Sequence, residues 1–218
     1  MIDWSWIADH LDELGFRLLQ HLYLTSISVS AGFAIAFALA VWATRRRIVL
    51  GPVIAVAGLL YTIPSLALFP FFIPITGLSD LTAVIPLVLY SLLIFIRNIV
   101  AGFDAVPADV LEAADGSGYT RSQRFAGIEL PLSLPLVVAG VRLATVSTIG
   151  LTTITGLLGD KFGGLGFFIF EGLRHTFPTE IFLGAIGSIV LAVAVDLVLV
   201  AIQRRLTPWA AFGAGVVA

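Results

Sequence analysis

Five stretches of this sequence are long and apolar enough to cross a bilayer, at about 18–43, 49–73, 81–100, 132–158 and 181–202. A spanning helix needs roughly 20 apolar residues, and within hydrocarbon its backbone polar groups must be satisfied internally. That pattern excludes a water-soluble domain. Hydrophobic residues make up 59% of the chain and charged residues 12%, about half the charged share of a soluble protein. The expected fold is an all-α integral membrane protein of five transmembrane helices. An N-terminal segment, 1–17, precedes the transmembrane domain at 18–205, and a tail, 206–218, follows it.

An odd number of spans puts the two ends on opposite sides. Nine of the twelve basic residues fall on one side: Arg45, Arg46, Arg47, Arg97, Arg121, Arg124, Arg142, Arg204 and Arg205. By the positive-inside rule that side is cytoplasmic, the N-terminus is outside and the C-terminus inside. The first sixteen residues hold Asp3, Asp9, Asp12 and Glu13 and no basic residue, so they do not read as a secretory signal. Trp4, Ile7, Leu11, Leu14 and Leu18 keep helical spacing, which predicts a helix in the membrane interface, against the alternative of a loose tail.

Ser26, Ser30, Ala34 and Ala38 recur every four residues in the first span and predict a close helix-packing seam. The second span carries Pro52, Pro64, Pro70 and Pro74. Pro64 removes a backbone hydrogen bond mid-span, a break tolerated where a helix lines a cavity or is buried among others. Tyr61, Thr62, Pro64 and Ser65 are therefore candidates for a translocation pathway, with an ordinary proline kink repaired by hydroxyls as the alternative.

Two charges lie deeper. Arg142 in the fourth span and Asp196 in the fifth sit at similar depths, roughly 12–16 Å in from the basic end at 1.5 Å per residue. Intramembrane charges are costly and are paired or functional. An Arg142–Asp196 ion pair bracing the two helices is one reading, and separate placement along a water-filled pathway is the other. Gly184, Ser188 and Ala192 share the Asp196 face and would permit close approach there. The outer segment 159–180 predicts a short amphipathic or re-entrant helix, or a loop anchored by Phe167, Phe168 and Phe170.

Nothing points to catalysis. The chain has no cysteine, which removes disulfides and thiolate metal sites, and His10, His21 and His175 form no ligand cluster, so no metal site is expected. A nucleotide-binding P-loop needs a lysine in Gly-Lys-Ser/Thr. The one lysine, Lys161, stands between Asp160 and Phe162. An ATP-driven role would therefore need a separate ATPase.

The longest polar interval is Pro107–Pro131, PADVLEAADGSGYTRSQRFAGIELP. It predicts two helical pieces on the cytoplasmic side. Pro107 opens the first as its initial helical residue, Gly116 and Gly118 end it, and a Thr120–Gln123 capping box opens the second, which runs to Pro131. Glu112-Ala113-Ala114, Gly118, Ile128 and Leu130-Pro131 fill every fixed position of EAA-x3-G-x9-I-x-LP. In this the chain resembles the binding-protein-dependent ABC importer permeases, which carry that motif in a cytoplasmic loop before the penultimate span. The resemblance implies a type I ABC importer (MetI-like) permease fold in the cytoplasmic, inner membrane of a bacterial or archaeal-type cell. It implies that Glu112, Ala113, Ala114, Gly118, Ile128, Leu130 and Pro131 couple to an ATPase subunit, with Arg121 and Arg124 as further charge contacts or solvated surface. ATP and Mg would be bound by that partner, and this chain would hold no cofactor. Other implied partners are a second permease subunit, identical or paralogous, an extracytoplasmic substrate-binding protein and the lipid bilayer, with no nucleic acid.

Thr62–Leu68 (TIPSLAL), Glu171–Arg174 (EGLR) and Gln203–Pro208 (QRRLTP) look most like the osmoprotectant permeases, which import glycine betaine, choline or carnitine. An importer of another small solute, a secondary transporter or channel using Arg142 and Asp196, and a structural membrane scaffold are the alternatives. The last two leave the EAA spacing unexplained.

Overall fold

A computed structural model of the chain describes residues 2–209, so 210–218 of the expected tail lie outside the described residues. The described residues are almost wholly helical. Helix α1 spans Trp4–Asp9, α2 Leu11–Arg45, α3 Leu50–Thr62, α4 Ser65–Thr76 and α5 Asp80–Asp104. Helix α6 spans Ala108–Gly116, α7 Arg121–Arg124, α8 Leu130–Thr152, α9 Gly166–His175 and α10 Pro178–Leu206.

Helix α5 is the axis of the bundle. Leu87, Phe95, Ile96 and Ile99 are fully buried along it, and α2, α3, α4 and α8 pack around it. Its α2 contact explains why a 35-residue helix of small residues holds a fixed position. Ser28, Gly32, Ala36 and Ala40 are buried and face α5, whereas Ser26, Ser30, Ala34 and Ala38 are exposed. The seam expected from the sequence is thus displaced by two residues. Both stripes are small, and what decides between them is the bulk opposite: a Cβ on Gly32 would lie 2.1 Å from Ser91 Oγ and 3.5 Å from the Phe95 ring. Without a hydrophobic driving force between helices in lipid, such close packing supplies much of their association.

The N-terminal stripe does not form one helix. Asp3 caps α1 by accepting from the Ser5 and Trp6 N–H groups and the Ser5 hydroxyl, interactions that hold its carboxyl below the usual range. The chain breaks at His10, whose ring stacks on Trp6. Trp6 packs edge-on against Phe168 and Phe177, and the Asp3 N–H donates to Thr179 Oγ1 at 3.0 Å. Residues 2–17 therefore dock against α9 and the start of α10, and their second half is the first turns of α2.

Segment 159–180 contains a helix, α9. Phe168 on α9 is fully buried, and Phe167 lies under the Arg17 guanidinium, 3.5 Å from centroid to Cζ. Arg17 also donates to the Asp160 carbonyl and to Glu13 at 3.1 Å, and His21 joins the Ile149 carbonyl to the Leu165 N–H. These contacts tie the start of α2 to the end of α8 and to the 159–166 turn. Helix α10 is peripheral, with Ile189, Val193 and Leu197 exposed.

Candidate functional site

Three features carry the candidate residues: the polar loop, the break in the second span and the deep charge pair. In the loop, α6 starts one residue later than expected, with Pro107 as its N-cap, and Gly116 is its last residue rather than its breaker. Gly118 ends it at φ +81°. The Tyr119 N–H reaches back to the Ala114 carbonyl and the Gly118 N–H to the Asp115 carbonyl, each at 3.1 Å. This is the Schellman arrangement, whose left-handed position costs glycine nothing. Thr120 and Gln123 form both halves of the capping box that starts α7. Along α6, Ala114 is buried under the loop while Glu112 and Ala113 are exposed and free to meet another surface.

The second half of the loop is not a separate piece. Helix α7 continues through a π-turn, Phe125–Glu129, into α8, so Ile128, Leu130 and Pro131 lie half-buried on one uninterrupted helical path. Pro131 has no N–H to offer the Gly127 carbonyl, and its ring crowds that carbonyl. The turn widens, and the Leu130 N–H bonds Phe125 five residues back.

Two residues of this region have contacts that spacing did not reveal. Arg124 binds Asp115 Oδ2 at 2.6 Å and Glu129 Oε1 at 2.8 Å, clamping α6 to the π-turn. It is thus engaged within the chain. Phe125 stacks on Phe103 of α5 with centroids 5.6 Å apart, and Arg45 at the end of α2 lies 5.1 Å from the Phe125 centroid. The stack joins the loop to two bundle helices. Three aromatic or basic residues so far apart in sequence leave no local signal.

The second span is broken outright: segments Arg47–Thr62 and Ser65–Thr76 meet at 96°. With 13 and 12 residues, α3 and α4 are each only about 20 Å long and cannot cross a bilayer of about 30 Å alone. Pro64 is the N-cap of α4 and exposed, and Ser65 opens α4, half-buried. Thr62 Oγ1 donates to the Leu59 carbonyl at 2.7 Å, and the Tyr90 hydroxyl donates to the Ile63 carbonyl, so both hydroxyls satisfy backbone at the bend. Tyr61 is exposed and meets Tyr90 edge-to-face with centroids 5.8 Å apart.

Arg142 and Asp196 face each other between α8 and α10. Arg142 Nε donates to Asp196 Oδ1 at 2.9 Å and Nη2 to Oδ2 at 3.0 Å, a bidentate pair, while Nη1 donates to Gln203 Oε1 at 3.0 Å. Each side chain remains about one-third exposed in the single chain, at 30% and 32%. The close approach at Gly184 is to Leu165 and Ile169 rather than to α8. Among the described residues no group of three or more acidic, histidine or cysteine side chains could hold a metal ion.

The chain is similar to several curated permeases over most of its length. It is 37% identical to the glycine betaine/carnitine/choline transport system permease protein OpuCB of Bacillus subtilis, covering 90% of this chain and 89% of that one. It is 38% identical to the carnitine transport permease protein OpuCB of Listeria monocytogenes, covering 93% and 94%. With the osmoprotectant import permease protein OsmW of Salmonella typhimurium the identity is 35%, covering 93% and 96%. In fold it matches a chain of the inward-facing MetNI methionine ABC transporter with a TM-score of 0.77 at 22% identity, covering 89% of this chain and 96% of that one. The type I ABC importer permease fold is therefore the fold of this chain. Residues 28–211 match the family described as binding-protein-dependent transport system inner membrane component, and the chain belongs to that family.

Proposed function

We propose that this chain is the membrane-spanning subunit of an ATP-driven importer of osmoprotectants carrying a quaternary ammonium, such as glycine betaine, choline or carnitine. The relatives' names support this substrate class. The observation that carries the mechanism is the 107–131 loop, whose glycine turn and capping box hold Glu112 and Ala113 outward on a short helix clamped to the bundle. Glu112, Ala113 and Gly118 form the contact with a separate ATPase subunit, which binds ATP and Mg, and Ala114 packs beneath them. Closure of that subunit pushes on α6, and the Arg124 clamp and the continuous α7–α8 path carry the displacement into the bundle. The basic end is cytoplasmic and the N-terminus outside. An extracytoplasmic binding protein delivers substrate, and a second permease supplies the other half of the pathway. The elbow around Tyr61, Thr62, Pro64 and Ser65 lines that pathway, while the Arg142–Asp196 pair braces α8 against α10.

The test is uptake into vesicles reconstituted with this chain and the ATPase, second permease and binding protein that co-purify with it. ATP-dependent accumulation of labelled glycine betaine, choline or carnitine is expected, with excess unlabelled methionine leaving it unchanged. Accumulation without ATP would point to a secondary transporter, and ATP-dependent uptake of an unrelated solute alone would refute the substrate class.

A further inference from the structure

At the basic end of the bundle a polar cleft of about 590 Å³ opens between the α2–α3 corner and the loop. Arg45, Arg46 and Arg47 line one wall, and Arg121, Arg124 and Glu129 line the other. Several of these charges are engaged within the chain. Arg47 pairs with Asp104, Arg124 with Asp115 and Glu129, and Arg45 lies on the Phe125 ring. Arg46 and Arg121 are exposed and have no ion-pair partner among the described residues. Counting the five arginines against Asp104, Asp115 and Glu129 leaves a surplus of two positive charges facing one space.

Beside it, across the short Arg47–Val49 turn, an apolar groove of about 300 Å³ runs between α2, α3 and α5. Leu39, Trp42, Val49, Val53, Leu60 and Ile96 are among its lining residues, and it presents almost no polar surface. Trp42 is 47% exposed and Ile48 87%, the placement of residues that sit at a membrane–water boundary. A free phosphate would use the arginines alone, and a neutral lipid the groove alone. A molecule with a phosphate at one end and a hydrocarbon chain at the other uses both.

We propose that this pair of sites binds one anionic phospholipid, its phosphate between Arg46 and Arg121 and an acyl chain in the groove, so that the lipid clasps the 107–131 loop to the α2–α3 corner. The placement rests on the reading of this end as the cytoplasmic one. Clusters of arginine at that level attract anionic headgroups, each contributing about a fivefold preference near the surface.

The test is native mass spectrometry of the whole importer, ATPase subunits included, released from nanodiscs of equal parts phosphatidylglycerol and phosphatidylcholine. Selective retention of phosphatidylglycerol is expected. The selectivity should fall about fivefold in each of Arg46→Gln and Arg121→Gln and return in Arg46→Lys/Arg121→Lys, which keeps the charge. Val53→Trp, which fills the groove, should lower retention of lipid of either headgroup. Equal retention of both lipids, or selectivity unchanged in both glutamine variants, would overturn the proposal. So would displacement of the lipid by millimolar glycerol phosphate, which needs no groove. Selectivity present in the permease alone and lost once the ATPase subunits bind would make the cleft their docking surface and overturn it too. Retention is read without transport, so an importer that binds lipid selectively but moves no osmoprotectant would refute the proposed function and leave this inference standing.

Discussion

Gly118 is the residue on which the loop turns, because its φ of +81° is open to glycine and costs other residues roughly 1–2 kcal/mol. Gly118→Val should therefore distort the α6–α7 corner and reduce ATP-dependent uptake by an order of magnitude or more, while the bundle still folds. Unchanged uptake would remove the loop from the mechanism. The deep charges give a second prediction at this scale. Both side chains are about one-third exposed in the single chain, so removing one partner should destabilise the protein less than breaking a fully buried pair would. Asp196→Asn should lower the thermal unfolding midpoint, and Arg142→Gln/Asp196→Asn should regain part of the loss; a double variant less stable than the single one would argue against a bracing role. Depth along each helix, counted in residues, was enough to suggest that the two charges could meet. Gln203 as third partner and Arg124 as internal clamp were not legible, since each depends on side chains converging from separate helices.

Among elements, α3 and α4 show how far a proline can be read from sequence. Pro64 signalled a break, but not that the two halves would meet at 96°, because the angle is set by packing on α5 and by the Tyr90 hydroxyl at the Ile63 carbonyl. Pro64→Ala restores an N–H and removes the ring clash, so it should favour a straighter span. The expected result is ATP hydrolysis retained and uptake reduced at least tenfold; uptake at the unsubstituted level would show that the elbow is no part of the pathway. The α2 seam teaches a different limit. Two small-residue stripes two positions apart score alike in periodicity, and only the bulk of Phe95 and the Ser91 side chain opposite select Gly32 and Ala36. Gly32→Leu should overpack that contact at a cost of about 1–3 kcal/mol, whereas Ala34→Leu on the exposed stripe should change the unfolding midpoint little. Equal effects from the two would contradict the packing described.

For the whole molecule, hydropathy made the class of fold readable, because bilayer thickness acts on each segment separately; of the five spans it suggests, four are continuous helices and the second is the pair bent by 96°. What hydropathy could not give is which helix is central, since α5 and α10 are both predominantly apolar and differ chiefly in what surrounds them. The absence of cysteine in the sequence makes single introduced thiols unambiguous within this chain. With the importer oriented as proposed, Lys161→Cys should react with a membrane-impermeant maleimide from outside and Ala113→Cys only from inside; the reverse pattern would invert the topology. The same Ala113→Cys chain tests the central claim most directly, by thiol cross-linking in the assembled, membrane-embedded importer. The product expected is a covalent adduct between this chain and the ATPase subunit, with a yield that changes when ATP binds. An exposed Ala113 thiol that never joins the ATPase, in a complex that still imports substrate, would contradict the coupling role of the 107–131 loop.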